Sequence, residues 1–466
     1  MTTAIASPGG LPGPLKGGLL AAAVFGACWG AAIWYWRGAT ITPGGVELAL
    51  ALLVLPLALV GAMWFGGKLL AKRAPAAPAA TATATPPAPA PAASLPALAI
   101  VSSALRSPYG ASAEELAGAI AGNTVRPDLD AELVDDDGFP VAAARCAEAE
   151  DLAFQEEMGA WLVQGGMPDP HFADAQWRAL TLGSSVVAEL ASRAGDLLPA
   201  EGKPPVLRLL PLLPTDWTLE QRAAACLWFR HLAAGFGWPA AQVALPDAGT
   251  ALASPAALFS QLAREAPTKA APIVALVVAC ASNIGQEVVD AWAGKGILFT
   301  AGRPQGLVPG EGAAGLLLTD LPLAQSMEAT VFAQLDPAES SLREATSARQ
   351  RADLALLGDL AARAGRHGET GLAQVAMVVA DTGQQQQRTL ELMGMVSQAM
   401  PQLEESEDVF CVGSASGACG DVPFVTALAL AQHGVLVRGA PVLCIGNEDA
   451  LECCAHLLRP PPTTAV

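Results

Sequence analysis

The chain has 466 residues, of which 52% are hydrophobic and 15% are charged, and its formal net charge is −18. This composition is apolar for a soluble protein, and the length allows two or three domains. Five of the 26 basic and one of the 44 acidic residues precede residue 74, so the rest of the chain carries a net charge of −22 and should repel nucleic acid. The nine cysteines form no CxxC motif and the five histidines are scattered, so neither a metal site, a cofactor site nor a disulfide framework is predicted.

Two uncharged runs near the amino terminus, residues 18–36 and 48–67, are 19 and 20 residues long. About 20 apolar residues are needed for a helix to cross the hydrocarbon core of a bilayer. Trp and Tyr residues at the ends of the runs are typical of the membrane interface. We therefore interpret residues 1–73 as an anchor with two transmembrane helices. A pair of buried core helices is the alternative, and the second run disfavours a cleaved signal peptide.

Basic residues flank this hairpin on its outer sides. Lys16 precedes the first run, and Lys68, Lys72 and Arg73 follow the second, whereas the short loop between the runs contains only Arg37. The positive-inside rule places such flanks in the cytoplasm. We expect a multi-pass protein of the bacterial inner membrane, in contact with the lipid bilayer through the hairpin and with its carboxy-terminal domain in the cytoplasm.

Residues 74–94 contain six prolines, no charge and no large apolar residue. Such a segment cannot form a core and favours an extended spacer, about 3.1 Å long per residue. From residue 95 to residue 466 the composition becomes globular, with apolar runs alternating with alanine-rich stretches. This alternation predicts an α/β domain with a mainly parallel sheet covered by helices. The predicted strands are 97–101, 243–245, 273–278, 315–318, 375–379, 409–412 and 441–445.

Three segments of this domain carry motifs. Residues 99–123 read as a strand, a loop and a helix with a capping box formed by Ser112 and Glu115. Residues 296–321 contain the glycine turn Gly310–Gly312, which leads into a buried strand. Residues 411–436 place the small-residue loop GSASGACG between a strand and an apolar helix.

In this order and spacing, the segments resemble the thiolase-like β-ketoacyl synthases. The match rests on the G-E-G-A-A segment at 310–314, the opening strand and loop, and the counterpart of the family's G-H-T-x-G-A-A-G loop at 413–420. The resemblance covers residues 96–466. It implies a duplicated βαβαβ core in five layers, a homodimer, and condensation of acyl thioesters.

The family's chemistry uses a cysteine on a strand-to-helix elbow and two histidines. The corresponding elbow, residues 246–254, lies between the predicted strand 243–245 and a predicted helix at 255–265. It holds Gly249, Thr250 and Ser254 but no cysteine. The resemblance places Asp381 at the position of the first histidine and Ser414 at that of the second. All three catalytic positions are therefore expected to be degenerate, and no catalytic residue is assigned.

Other nucleophiles remain as alternatives. Cys226 lies in a segment with helical periodicity, Cys280 ends a strand, and Cys419 lies in the small-residue loop. Thr250 or Ser254 would need a positioned base, and the sequence suggests none. We expect three histidines to lie on helical patterns outside the motif loops, as surface residues or hydrogen-bonded core residues: His231, His433 and His456.

The sequence keeps the turns that build the fold but lacks the catalytic groups. We therefore predict a non-enzymatic adaptor or scaffold. The anchored arrangement is similar to the adaptors of the type VI secretion apparatus that handle lipase effectors, which implies a secreted effector or a secretion component as protein partner. One alternative is a membrane-tethered condensing enzyme that uses Cys226 or Cys280. Another is an inactive partner subunit of an active ketosynthase.

Overall fold

Strands and helices alternate through the part of the chain that a computed structural model describes. The described residues are 29, 95–167, 170–199, 204–246, 254–266, 272–327, 331–343 and 354–461. All of them except Trp29 belong to one compact unit, Pro91–Val466. The predicted spans 18–36 and 48–67 and the predicted spacer 74–94 lie outside the described residues, Trp29 excepted. Within the described ranges, no helix is sufficiently long and apolar to cross a membrane.

The described elements begin with a strand and end with a strand. The strands are β1 (Leu98–Arg106), β2 (Asp128–Val134), β3 (Pro140–Ala143), β4 (Leu207–Leu212), β5 (Val243–Ala244), β6 (Val274–Ser282), β7 (Glu311–Asp320), β8 (Ala333–Leu335), β9 (Glu339–Leu342), β10 (Met377–Ala380), β11 (Val409–Cys411), β12 (Val442–Gly446) and β13 (Glu452–Arg459). The helices are α1 (Ala113–Ala121), α2 (Leu152–Gln164), α3 (Asp174–Gly195), α4 (Leu219–Gly235), α5 (Pro255–Glu265), α6 (Gln286–Lys295), α7 (Leu321–Ser326), α8 (Leu354–His367), α9 (Gln386–Ala399), α10 (Glu405–Asp408), α11 (Gly413–Ser416) and α12 (Val422–Arg438).

The large sheet contains the same arrangement twice. Its order is β11-β10-β12-β13-β8-β1-β7-β6-β4-β5, with β9 beside β13. In the first half, β4 is parallel to β5 and β6, whereas β7 is antiparallel to β6 and to β1. In the second half, β10 is parallel to β11 and β12, whereas β13 is antiparallel to β12 and to β8. Antiparallel pairing of β1 with β8 joins the halves. The strands follow one another in the same chain order, so the fold is internally duplicated.

The prediction of a mainly parallel sheet is wrong, because the described sheet is mixed. Four strand pairs are parallel and six are antiparallel. Strand β7 runs antiparallel to β6, and β13 runs antiparallel to β12. The connection from β12 to β13 is too short for the crossover that a parallel pair would need. The order of apolar runs and helical segments in the sequence does not reveal whether the last strand of each half is parallel or antiparallel to its neighbour.

Alternating side chains assign the helices to layers. In β6, Val274, Leu276 and Val278 pack in a cluster with α3 and α4, whereas Ala275 and Val277 pack with α5 and α12. Strand β12 repeats this alternation, with its outer side chains packed on α8 and α9. Helix α12 contacts strands of both halves. The layers are therefore outer helices, strands, the inner helices α5 and α12, strands, and outer helices.

The G-E-G-A-A segment forms the start of β7 rather than a turn before it. Arg178 of α3 donates from Nε to Oε2 of Glu311 at 2.8 Å and from Nη2 to Oε1 at 2.6 Å. The Ser282 hydroxyl and the Cys146 backbone N–H donate to the same wholly buried carboxylate. At Gly310, an added Cβ would lie 1.9 Å from the Ser416 carbonyl oxygen. The glycine is therefore required where β7 begins beside the 413–420 segment.

The predicted cap of α1 is present in a modified form. The Ser112 hydroxyl accepts a hydrogen bond from the Glu115 backbone N–H at 3.2 Å. The Glu115 carboxylate reaches the N–H of Ala111 rather than that of Ser112. Helix α5 begins and ends at the predicted residues, with Ser254 as its N-cap and Pro255 as its first residue.

Candidate functional site

A cavity of about 400 Å³ lies where the two halves of the fold meet. Residues that follow β10, β11 and β12 line one side of it, and the first residues of α5 and α12 line the other. The three strands are parallel neighbours, so their carboxyl ends lie at the same edge of the sheet. In α/β folds such an edge is the usual location of a binding site.

Asp381 lines this cavity and lies directly after β10. The residue is 8% exposed, and Oδ1 accepts hydrogen bonds from the backbone N–H groups of Asn447 at 2.8 Å and of Glu448 at 3.1 Å. Burial raises the pKa of the Asp381 carboxyl to about 7, and the negative charges of Glu448 and Asp449 act in the same direction. The two backbone donors only partly offset that increase. Asp381 therefore titrates near neutral pH, which is a property of functional carboxyls.

The loop with Ser414 lies against the segment with Asp381. An added Cβ on Gly413 would lie 2.3 Å from the Asp381 carbonyl oxygen, so the close approach of the two loops requires glycine at that position. The Ser414 hydroxyl donates to the Gly383 carbonyl oxygen at 3.4 Å. Gly413 lines the cavity, whereas the described cavity wall does not include Ser414. The structure thus places Ser414 beside the cavity with its hydroxyl engaged by the backbone.

Ser254 lines the cavity from the opposite side as the N-cap of α5. Its hydroxyl accepts a hydrogen bond from the Ala257 backbone N–H at 3.4 Å. The other two predicted elbow residues, Gly249 and Thr250, lie outside the described residues. A hydroxyl that caps a helix in this way completes the hydrogen bonding of the first turn.

Four further acidic residues line the cavity, namely Asp421, Glu448, Asp449 and Glu452. Burial raises the pKa of Glu448 and of Asp421, and in the latter the Asp449 charge adds to the effect. Among the described residues that line the cavity, none is lysine, arginine or histidine. The site is therefore strongly acidic.

Two thiols also line the cavity, those of Cys419 and Cys454. The Cys419 thiol is buried and donates to the Ser416 carbonyl oxygen at 3.5 Å. Burial raises the pKa of both thiols, and nearby carboxylates raise it further. At neutral pH both groups are protonated, and a protonated thiol is a poor nucleophile.

The cysteines of the enzymatic alternative lie elsewhere. Cys226 is on α4 and Cys280 is inside β6, and neither lines the cavity. Burial raises the pKa of Cys226 to about 11 and that of Cys280 to about 12. All eight cysteines of the described part of the chain are free.

The three histidines considered above do not line the cavity either. His231 on α4 stacks on Trp161 with ring centroids 4.6 Å apart, and His433 lies on α12. The helical prediction for His456 is wrong, because this residue is on β13, where it faces Phe259 and Phe424 of the inner helices. Burial lowers the pKa of His456 to about 4, so the ring is neutral.

Sequence reasoning missed Glu448 and Cys454. A signal for Glu448 was present, since it follows the predicted strand 441–445 as Asp381 follows the predicted strand 375–379. Polar residues that follow neighbouring parallel strands meet at one edge of the sheet. Cys454 reaches the cavity only through the antiparallel pairing of β13 with β12, where it lies opposite Gly446. Local sequence contains no signal for that pairing.

Solved structures similar to this chain include ketosynthases. The ketosynthase from module 6 of the bacillaene synthase of Bacillus subtilis 168 gives a TM-score of 0.52 at 14% identity, over 78% of this chain and 72% of that chain. The oxazolomycin ketosynthase domain of Streptomyces albus JA3453 gives 0.52 at 13%, over 78% and 74%. A type II polyketide synthase ketosynthase in complex with its acyl-carrier protein gives 0.53 at 9%, over 78% and 99%. The fold is ketosynthase-like.

This ketosynthase-like fold agrees with the resemblance derived from the sequence. At these identities the similarity defines the fold alone. No family model matches the sequence, and no curated protein matches it. Within the fold, Asp381 and Ser254 line one cavity and Ser414 lies next to it.

Proposed function

We propose that this chain is a membrane-anchored, non-catalytic ketosynthase-like protein that serves as an adaptor or scaffold. One observation carries the proposal: the described residues around the cavity supply carboxylates and buried thiols, but no imidazole. Condensation of acyl thioesters requires a reactive thiolate and donors that polarise the thioester carbonyl. The thiols of Cys419 and Cys454 are protonated at neutral pH because their pKa values are raised.

The sequence of the elbow supports the same conclusion. Residues 246–254 contain no cysteine, so the position that the resemblance gives to the nucleophile lacks a thiol. Cys226 and Cys280, with pKa values raised to about 11 and about 12, do not line the cavity. A condensing enzyme built on either of them would need a second active site.

The proposed adaptor is held at the bacterial inner membrane by residues 1–73, with the domain in the cytoplasm. The uncharged runs 18–36 and 48–67, together with their basic flanks, support this topology. The proline-rich residues 74–94 would let the domain reach a partner at a distance from the bilayer. By resemblance to type VI secretion adaptors, the partner is a secreted effector or a secretion component. The resemblance to the β-ketoacyl synthases implies that the domain is a homodimer.

Cross-linking in native membranes followed by purification through a carboxy-terminal tag tests the adaptor role. We expect a secreted effector or a secretion component to be enriched, and the Cys419→Ala variant to retain it because no thiol chemistry is involved. A variant that lacks residues 95–466 should lose it. Enrichment of acyl-carrier proteins and an active ketosynthase in its place would contradict the proposal and support the partner-subunit alternative.

A further inference from the structure

The cavity is lined by both apolar and acidic residues. Leu307 and Val308 contribute apolar surface from the loop before β7, and Pro423 and Phe424 contribute it from the start of α12. Asp381 is one of the acidic lining residues. A pocket of this kind excludes water from a short apolar chain and leaves one end of that chain beside charge.

The charge at that end is negative. Five carboxylates line the cavity, and the nearby arginines are engaged elsewhere. Arg343 pairs with Glu391 at 2.6 Å and donates to the Asn447 carbonyl oxygen, and Arg388 contacts Glu391 at 3.4 Å and donates to the Asp449 carbonyl oxygen. The amino termini of α5 and α12 contribute about half a positive charge each. Together these termini offset about one of the five carboxylates.

Asp381 has one carboxylate oxygen available for a ligand. Its Oδ1 accepts two backbone hydrogen bonds, but Oδ2 accepts none from the described residues. The residue is more than nine-tenths buried and lines the cavity. A carboxylate oxygen at a cavity surface can accept a hydrogen bond from a cationic donor, and such charge-assisted hydrogen bonds are stronger than those between neutral groups.

We propose that the cavity binds a small ligand that carries a protonated amine on an apolar chain. The ammonium group donates to Oδ2 of Asp381 and is surrounded by the other carboxylates, while the chain lies against Leu307 and Phe424. A carboxylate or phosphate ligand of the same length would meet like charge in the same place. The inference concerns ligand binding alone and does not depend on the adaptor role.

Isothermal titration calorimetry of the full-length protein, in a non-ionic detergent with 150 mM salt at pH 8, tests this proposal. The probes are hexylamine, hexanol and hexanoate, which share one chain and differ in the charge of the head group. We expect hexylamine to bind at least ten-fold more tightly than hexanol, and hexanoate not to bind. Equal binding of hexylamine and hexanol, tighter binding of hexanoate, or binding of no probe would overturn the proposal.

Three variants assign the effect to the cavity. Asp381→Asn keeps the Oδ1 acceptor and should weaken hexylamine binding at least ten-fold with little effect on hexanol. Glu448→Gln should weaken it less, and it decides the question if the first variant does not fold. Glu220→Gln removes an exposed acid on α4 and should leave binding unchanged. An equal loss in all three variants would indicate general attraction to an acidic protein and would overturn the proposal.

Discussion

Glu311 and Asp381 are both buried carboxylates, but their surroundings differ. Glu311 receives two hydrogen bonds from Arg178, one from Ser282 and one from the backbone, so its charge is compensated by an adjacent cation. Asp381 receives two backbone hydrogen bonds and no cation, and its pKa rises to about 7. The first residue therefore stabilises the fold, and the second changes its protonation state near neutral pH.

The raised pKa of Asp381 predicts a pH-dependent stability. An unfolded aspartate titrates near 3.9, so between about pH 4 and pH 7 the folded protein holds a proton that the unfolded chain releases, and stability falls as the pH rises. Asp381→Asn should remove this fall, whose maximum is about 4 kcal/mol. Denaturant unfolding at pH 4 to 8 measures it, with Glu220→Gln as the control. An unchanged slope in the Asp381→Asn variant would contradict this origin of the pH dependence.

The two acids that contact Arg178 provide a matched comparison. Glu311 is fully buried, whereas the Glu150 side chain, which contacts the same guanidinium, is 67% exposed. Glu311→Gln should lower the free energy of unfolding by about 3 kcal/mol because it leaves a buried arginine with only the exposed Glu150 as counter-ion. Glu150→Gln should lower it by less than about 1 kcal/mol. Denaturant unfolding measures both losses. Similar losses in the two variants would show that burial of the carboxylate does not determine its contribution to stability.

At the scale of elements, local sequence signals predicted the positions of helices and strands better than they predicted strand pairing. Helix α5 has the predicted bounds because Ser254 and Pro255 define its start. The predicted strand runs all overlap described strands, although β1 extends five residues beyond its prediction, to Arg106. The hairpin β2–β3 and the strands β4, β8, β9 and β13 were missed. Strands β8 and β9 are short and pair with partners that are distant in sequence, whereas β2, β4 and β13 contain charged residues and therefore do not form purely apolar runs.

The start of β7 packs closely against the 413–420 segment. We therefore expect a larger side chain at Gly310 to destabilise the fold. Gly310→Ala should destabilise the protein by at least about 2 kcal/mol, because the new methyl group would overlap the Ser416 carbonyl oxygen and the strand start would have to move. Gly159→Ala, within α2 and with no atom near its Cβ position, should instead stabilise by about 0.5–1 kcal/mol. Thermal unfolding of both variants tests this pair, and a neutral Gly310→Ala would contradict the close packing.

For the whole molecule, duplication explains where the site lies. Each half supplies parallel strands and one inner helix, and the cavity forms where the inner helices α5 and α12 begin. The resemblance to the β-ketoacyl synthases singled out Asp381 and Ser254, which both line the cavity. The motifs of that family mark loops that the fold brings together. The resemblance did not indicate the acidic character of the cavity, since Asp421, Glu448 and Glu452 come from parts of the chain that meet only in three dimensions.

Membrane attachment is predicted from the first 94 residues alone. Deletion of residues 1–94 should transfer the protein from the membrane fraction to the soluble fraction, because the remaining described helices cannot span a bilayer. Carbonate extraction of membranes followed by immunoblotting measures the distribution. A carboxy-terminal green fluorescent reporter on the full-length chain should fluoresce, since that end is predicted to be cytoplasmic. Retention of the truncated protein in the membrane would contradict the hairpin anchor.

We propose that this protein uses a ketosynthase-like fold without thiol catalysis. The most direct measurement treats the full-length protein at neutral pH with an iodoacetamide probe and, in parallel, with acyl-pantetheine thioesters, and identifies modified residues by mass spectrometry. We predict slow labelling of the eight described cysteines and no acyl adduct, because burial raises the pKa of each of these thiols and keeps it protonated at neutral pH. Rapid labelling and acylation of one cysteine, abolished by its change to alanine, would contradict the claim and identify a condensing enzyme.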